Sequence, residues 1–245
     1  MDPRTSVIDK RLKKIKKIIA VASGKGGVGK SLVASTLALI LAKKGNNVGL
    51  LDLDLYGPSS HIILGVEDFS FPEEEKGILP HDVQGMKFMS IVYFTEDKPA
   101  PLRGEDITNV IIELLAITQW GDLDYLIVDM PPGIGDETLD IIKYVKKAEF
   151  LVVTTPSKVS MGAVGKLLKI LKELKIPVIG IIENMKIDDS TYIHDSVSKM
   201  KIDYLGSVYF DKNLEKGIGK TDILLQSNFS KDLEIIITKN IFQRV

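Results

Sequence analysis

The chain has 245 residues, of which 44% are hydrophobic, and a formal net charge of −1 at pH 7, so it is long enough to build one large domain around a substantial core. The near-neutral charge argues against a protein whose whole surface binds nucleic acid, and no stretch approaches the roughly 20 apolar residues of a membrane-spanning helix. The sequence contains no cysteine, which excludes disulfides, thiolate zinc sites and cysteine-ligated iron–sulfur clusters within this chain.

The first 17 residues read as a basic lead-in to the domain. Residues 10–17 are KRLKKIKK, a pattern that fits a short amphipathic helix on the domain, a patch for nucleic acid or acidic membranes, or a solvated lead-in; we favour the last. The segment lacks the apolar core of a secretory signal, so we expect a cytoplasmic protein. Residues 18–245 are expected to form a single domain.

An octapeptide near the N-terminus carries the most informative motif. Residues 24–31 read GKGGVGKS and satisfy the pattern GxxxxGK[ST]; an apolar run at 18–22 precedes them and a helical pattern at 29–44 follows. Between a strand and a helix, such a loop aims several backbone N–H groups at one phosphate. We therefore predict an ATP-binding loop made of Gly24, Lys25, Gly26, Gly27, Val28, Gly29, Lys30 and Ser31.

Two side chains of this loop have separate expected roles. Lys30 would neutralise the β- and γ-phosphates, and the Ser31 hydroxyl would bind Mg²⁺. Lys25 is not required by the pattern GxxxxGK[ST]. Without further information it could be an ordinary solvated surface lysine.

Three aspartates follow apolar strands. Asp52 and Asp54 alternate with period 2, which places both carboxylates on one side of a strand end. One would hold a water on Mg²⁺ while the other orients the attacking water; the alternative is a pair of acids that caps the following turn, and we favour the catalytic interpretation. Asp129 ends a second apolar strand and would lie in the outer shell of Mg²⁺.

Two further motifs follow strands. Residues 131–135 read PPGIG, and Pro132, Gly133 and Gly135 suit a switch loop whose N–H groups sense the γ-phosphate, although a stiff connection is a compatible interpretation. The carboxamide of Asn184 can donate and accept at once, as the adenine edge requires. Its position alone favours a turn-forming asparagine.

Apolar runs and helical patterns alternate along the chain. Strands are predicted at residues 18–22, 47–52, 87–93, 125–129, 150–154, 178–182 and 204–208. Helices are predicted at residues 29–44, 106–118, 136–145, 161–174, 192–200 and 230–242. Continuous apolar runs are typical of strands buried on both faces, so we predict an α/β fold with a doubly wound, mainly parallel sheet flanked by helices. Residues 69–85, with the acidic run at 73–75, are predicted to be a solvated surface loop.

Several strings taken together resemble the Mrp/ApbC/Nbp-type ATPases associated with iron–sulfur cluster assembly. This group belongs to the MinD/ParA-related class of P-loop ATPases with a deviant Walker A loop. The strings are SGKGGVGKS (23–31), DLDLYGPSS (52–60), LRG (102–104), WGDLDYLIVDMPPGIGD (120–136), TTPSKVSM (154–161) and IPVIGIIENM (176–185). They run in family order from about residue 18 to about residue 206, and the second and fourth separate this group from MinD and ParA.

The resemblance implies slow, Mg²⁺-dependent ATP hydrolysis by an ATP-dependent homodimer. In this class the first loop lysine reaches across the dimer interface, so Lys25 would contact the partner's phosphates. The resemblance also implies that Asp54 positions the attacking water and that Asn184 recognises adenine. Residues 208–213 would lie near the adenine, although this chain lacks the proline that the family tends to have there.

One departure from the family concerns its cargo. Cluster-carrying members place a CxxC pair shortly after the ENM string, whereas residues 186–194 here read KIDDSTYIH. Asp188 and Asp189 are poor substitutes for soft sulfur ligands. We therefore expect no iron–sulfur cluster on this chain alone, and we expect a cysteine-bearing homologue or a client apo-protein as partner, not nucleic acid. The alternatives are a MinD/ParA-like positioning switch and a non-hydrolysing nucleotide-binding scaffold.

Overall fold

A computed structural model describes residues 2–98 and 105–241 of the chain. Its strands are β1 (Ile15–Ser23), β2 (Val48–Asp52), β3 (His81–Val83), β4 (Met86–Ser90), β5 (Leu123–Asp129), β6 (Ala148–Thr154), β7 (Val178–Lys186) and β8 (Tyr204–Tyr209). Its α-helices are α1 (Arg4–Leu12), α2 (Lys30–Lys43), α3 (Ser60–Leu64), α4 (Val92–Thr95), α5 (Glu105–Ile117), α6 (Asp136–Tyr144), α7 (Lys158–Glu173), α8 (Tyr192–Lys199), α9 (Thr221–Gln226) and α10 (Asn228–Asn240). A 3₁₀ turn spans Leu214–Gly217.

The strands of the described residues form one eight-stranded sheet in the order β3-β4-β2-β5-β1-β6-β7-β8. All neighbouring strands are parallel except β3, which pairs antiparallel with β4. From β1 to β2 the chain moves towards one edge, and from β5 to β6 it moves towards the other. Right-handed crossovers in opposite directions place α2 and α6 on opposite faces of the sheet. The predicted doubly wound, mainly parallel fold is confirmed.

The core is centred on β1, β5 and β6. Their side chains are buried almost without interruption, because helices cover both faces of a parallel sheet. Helices α9 and α10 pack with α2, whereas α1 packs against α5 and α6. The carboxyl ends of β1, β2 and β5 lie side by side at one end of the strands, which is where ligands bind in folds of this kind.

The basic lead-in is not a single amphipathic helix. Helix α1 ends at Leu12 and β1 already begins at Ile15, so the predicted segment 10–17 is divided between them. Ile15 is buried and pairs with Leu123 of β5, and extension of the central strand therefore outweighs the helical pattern. Helix α1 buries Ile8 and Leu12 on its inner side.

Several short elements differ from the sequence-based prediction, among them helices α1, α3 and α9, which were not predicted. The strand predicted at 87–93 ends at Ser90, and α4 begins at Val92. The short strand β3 was not predicted; a two-residue turn at Gln84 and Gly85, both with positive φ, joins it to β4, as in type I′ hairpins. The predicted string at 102–104 and the end of the helix predicted at 230–242 lie outside the described residues. Among the described helices, none has the length and apolar character needed to cross a membrane.

Candidate functional site

Two glycines of the loop between β1 and α2 leave no room for a side chain. Gly29 has a left-handed backbone (φ 80°), and an added Cβ would collide with the amide nitrogen of Asn184. An added Cβ at Gly24 would collide with the backbone of Ala163 and Val164 in α7. The loop is therefore packed tightly between α7 and the end of β7, with its backbone exposed on the other side.

A cavity of about 330 Å³ lies over this loop, within the size range of small-ligand sites. It is lined by residues from three connections of the sheet, including Lys25, Lys30, Ser31, Asp54 and Pro132. The structure thus brings together side chains that the sequence places more than 100 positions apart. Asp52, Asp129, Asn184, Gly133 and Gly135 do not line the cavity.

Lys30 forms the centre of a buried charge cluster. Its side chain is 6% exposed, and its Nζ lies 2.5 Å from Asp129 Oδ1 and 4.0 Å from Asp54 Oδ2. The same Nζ donates to Ser31 Oγ at 3.2 Å. Because Asp129 is fully buried, this ion pair compensates two charges that would each be costly to bury alone.

Asp52 and Asp129 lie side by side at the ends of adjacent strands. They are direct partners in the register of β2 and β5. Burial, together with the neighbouring Asp129, raises the pKa of Asp52 to about 7, although Lys30 opposes the shift. Asp52 therefore carries less than one full negative charge near neutral pH.

Asp54 lies beyond the end of β2, in a turn. Its backbone N–H donates to Asp52 Oδ1 at 3.0 Å, and its Oδ1 accepts from the Gly57 N–H at 3.2 Å. Burial raises the pKa of Asp54, and Lys30 lowers it. Asp54 thus caps its turn and also faces the cavity, so the two interpretations of this acid are compatible.

Ser60 is a member of the site that the sequence analysis missed. Its backbone N–H donates to Asp52 Oδ2 at 3.2 Å, and its hydroxyl donates to Asp129 Oδ2 at 3.4 Å. The first residue of α3 therefore orients both buried carboxylates. The available signal was a small hydroxyl residue within the string DLDLYGPSS, eight positions after Asp52.

The predicted switch loop, residues 131–135, lies against the base of the phosphate loop. Gly133 has φ 85° and donates its N–H to the Ser23 carbonyl at 3.1 Å. Thr138 in α6 donates its hydroxyl to the Gly133 carbonyl at 3.2 Å. Gly135 is the N-cap of α6, so a displacement of Gly133 would act on both β1 and α6.

Asn184 holds the other side of the phosphate loop. It is buried, and its Nδ2 donates to the Val28 carbonyl at 2.9 Å. Met185 follows with a left-handed backbone (φ 58°) at an irregularity in the pairing of β7 with β8. The amide donor of Asn184 therefore fixes the loop in this structure, and its contact with adenine stays a prediction.

Lys25 is the loop lysine that has no ionic partner among the described residues. It is half-buried at the cavity wall, and within residues 2–98 and 105–241 its ammonium forms no ion pair. The Lys25 carbonyl accepts from the Ser23 hydroxyl at 2.9 Å.

The donor set fits Mg²⁺ bound together with phosphates. The described residues contain no group of three or more His, Cys, Asp or Glu that would form a metal cage on its own. Mg²⁺ bound with nucleotides keeps several waters and takes few protein ligands. The Ser31 hydroxyl beside the cavity and the buried carboxylates of Asp52 and Asp129 suit one direct and two water-mediated contacts.

The family of the chain follows from a match that covers most of its length. A protein-family model described as ParA: NUBPL iron-transfer P-loop NTPase matches residues 14–245. The chain belongs to this family. The resemblance to Mrp/Nbp-type ATPases is thereby confirmed.

Curated relatives of this P-loop NTPase carry the name iron-sulfur cluster carrier protein. The one from Pyrococcus furiosus is 38% identical over 253 residues, covering 97% of this chain and 84% of the relative. The one from Pseudomonas fragi is 41% identical over 179 residues, covering 72% of this chain and 62% of the relative. For the Aquifex aeolicus relative, 42% identical, the covered shares are 72% and 49%. The chain thus spans only about half to three fifths of the length of these last two relatives.

Solved structures of similar proteins include a nucleotide complex. The nucleotide-binding protein of Archaeoglobus fulgidus in complex with ADP is 32% identical, with a TM-score of 0.76 and coverage of 94% of this chain and 95% of that chain. The cell division ATPase MinD of Pyrococcus furiosus is 20% identical, with a TM-score of 0.69 and coverage of 94% and 100%. At that identity, MinD shares the fold of this P-loop NTPase.

Proposed function

We propose that this P-loop NTPase is a Mg²⁺-dependent ATPase that hydrolyses ATP slowly as an ATP-dependent homodimer and serves iron–sulfur cluster assembly. The observation that carries the proposal is the cluster of Lys30, Ser31 and Asp54 at one cavity, above the buried pair Asp52 and Asp129. A non-hydrolysing scaffold has no need of a carboxylate placed beside the phosphate-loop lysine.

The residues divide the work of phosphate transfer among them. The loop N–H groups and Lys30 would hold the β- and γ-phosphates, and Ser31, Asp52 and Asp129 would hold Mg²⁺ directly or through water. Bound Mg²⁺ would neutralise charge on the phosphates. Asp54 faces the same cavity and would orient the attacking water.

The ATPase proposal is tested by Asp54→Asn, which keeps the size of the side chain and removes its negative charge. We expect Mg²⁺-dependent ATP turnover to fall about a hundredfold or more, with ATP affinity retained, because the lost contribution is to water activation. Asp222→Asn, at an exposed position of α9, is the matched control and should leave turnover unchanged. If the wild type binds ATP but turns it over no faster than Asp54→Asn, the enzymatic part of the proposal is wrong.

The role in cluster assembly must pass through a partner, because this chain has no sulfur ligand. The segment after β7 exposes Ile187 to 80%, and its Asp188 caps the Ser190 N–H. We propose that this segment contacts a cysteine-bearing homologue or a client apo-protein.

Anaerobic reconstitution with iron and sulfide tests the absence of a cluster site of its own. The isolated protein should retain no stoichiometric cluster absorbance after desalting, because carboxylates are poor ligands for iron–sulfur centres. A stable, stoichiometric cluster on the isolated chain would contradict this part of the proposal.

A further inference from the structure

A basic groove lies at the end of the sheet opposite to the phosphate loop. It has a volume of about 650 Å³, and four lysines stand around it: Lys169 and Lys172 of α7, Lys199 of α8, and Lys201. Val178, the first residue of β7, forms part of its floor. Strand β7 runs parallel to its neighbours β6 and β8. The groove at its first residue therefore borders the amino-terminal ends of the strands, whereas the nucleotide cavity lies at their carboxyl ends.

The positive charge of the basic groove is largely uncompensated. In the described part of the chain, Lys169, Lys172 and Lys201 form no ion pair, and Lys199 has only the nearby charge of Asp195. Lysines that surround one concave site repel one another. An occupant of negative charge would relieve that repulsion.

The floor of the groove indicates which kind of anion fits. It is apolar, with Val178, Met200 and Ile202 among its residues, and the described residues that line it include neither arginine nor an aromatic ring. Nucleic acids are usually held by guanidinium groups and by stacking on aromatic side chains. An acidic peptide that carries one hydrophobic side chain matches a lysine rim and an apolar floor better.

The chain itself carries such a peptide at residues 71–75. Phe71 is 63% exposed and packs edge-on against Phe94, with 5.4 Å between the ring centroids. It is followed, after Pro72, by the acidic turn (Glu73, Glu74 and Glu75), whose exposed carboxylates form no ion pair within the described residues. Three adjacent like charges are unfavourable in the isolated molecule.

Backbone contacts hold the acidic turn, while its three carboxylates are exposed, as expected for a solvated surface loop. Glu74 forms a β-bridge with Ile78, whose N–H donates to the Ile117 carbonyl at 2.8 Å. Arg11 donates to the Lys76 carbonyl at 2.6 Å. A segment that is already ordered loses less conformational entropy on binding.

We propose that the basic groove binds the acidic turn of a second copy of this chain, with Phe71 over the apolar floor. The turn leads into β3, whereas the groove borders β7 and β8 at the other edge of the sheet, so the two surfaces cannot meet within one molecule. A contact of this head-to-tail kind links successive copies. It leaves the nucleotide cavity open, because none of its residues line that cavity.

Sedimentation velocity without nucleotide tests the contact by charge reversal. The wild type should self-associate at ~0.05 M salt and dissociate at ~0.5 M salt, where the Debye length is shorter. Lys169→Glu/Lys172→Glu and Glu73→Lys/Glu74→Lys should each raise the dissociation constant about tenfold or more, because like charges then face one another. An equal mixture of the two variants should regain association, since each then offers a complementary surface to the other.

Lys231→Glu/Lys239→Glu, on exposed positions of α10, is the control with the same charge change and should associate like the wild type. Thermal unfolding of each variant checks that the fold is retained. The proposal is overturned if the wild type stays monomeric at low salt, if neither reversal weakens association, or if the mixture fails to restore it. If only the groove variant loses self-association, the groove binds a different acidic segment. If a single-stranded DNA probe binds to the protein only when the groove is intact, the occupant is a nucleic acid. Either result overturns the proposal.

Discussion

At the scale of single residues, Lys30 decides the charge balance of the site. Its ammonium is nearly inaccessible to water and already contacts Asp129 and Ser31. Burying a lysine without a counter-charge costs several kcal/mol, roughly. Bound phosphates would therefore meet a cation that is desolvated and positioned beforehand, and they would compete with Asp129 for it.

Gly29 offers a sharp test of how tightly the phosphate loop is built. Gly29→Ala combines two penalties, a left-handed backbone and a collision with the Asn184 amide. Gly45→Ala has only the first, since Gly45 has φ 85° and open space around its Cβ position. We expect both variants to lose about 1–2 kcal/mol of unfolding free energy from the backbone term, and only Gly29→Ala to lose ATP affinity, about tenfold or more. Equal ATP affinities by calorimetry would show that the loop is not held by this contact.

At the scale of elements, α3 connects the carboxylates to the rest of the sheet edge. Ser60 contacts Asp52 and Asp129, and the next residue, His61, is buried. His61 Nε2 lies 3.3 Å from Asp97 Oδ1, but neither ring nitrogen is hydrogen-bonded within the described residues. Burial lowers the pKa of His61, although Asp97 opposes the shift.

This lowered pKa predicts a pH dependence of stability. The folded state favours neutral His61, whereas the unfolded chain binds a proton near pH ~6.5. The contribution of His61 is therefore complete above that pH and is lost as the pH falls towards the folded-state value. Urea unfolding between about pH 5 and pH 7.5 should show a smaller loss of stability in acid for His61→Gln than for the wild type. Identical slopes for His61→Gln and the wild type would refute the assignment.

The sequence predicted those elements whose signal is local. Helix α2 and strands β1 and β5 have long apolar patterns, and the register of β2 with β5 explains why Asp52 and Asp129 end side by side. Strand β3 has three residues and pairs within a hairpin, so it leaves almost no pattern. The contacts of Ser60 with the carboxylates and of Asn184 with Val28 join distant residues through tertiary packing, and spacing along the chain does not reveal them.

At the scale of the whole molecule, the role of Lys25 decides whether the site is complete in one chain or shared between two. Its ammonium lies at the cavity wall without an ion pair among the described residues, whereas Lys30 is fully engaged. A second cation placed at the edge of a phosphate site has its largest effect on charge that develops during transfer. If a partner supplies that cation, each active site of the dimer is built from two chains.

Mixing two inactive variants decides whether Lys25 acts across the dimer. Lys25→Ala keeps its own Asp54 and lacks the lysine that it would give to its partner; Asp54→Asn keeps Lys25 and lacks its own water-orienting acid. Each variant alone should be nearly inactive. In an equal mixture, half of the dimers would be mixed, each with one complete site, so turnover per chain should recover to about a quarter of the wild-type value. If Lys25 instead serves the site of its own chain, no mixed dimer contains a complete site, and the mixture would be as inactive as its components.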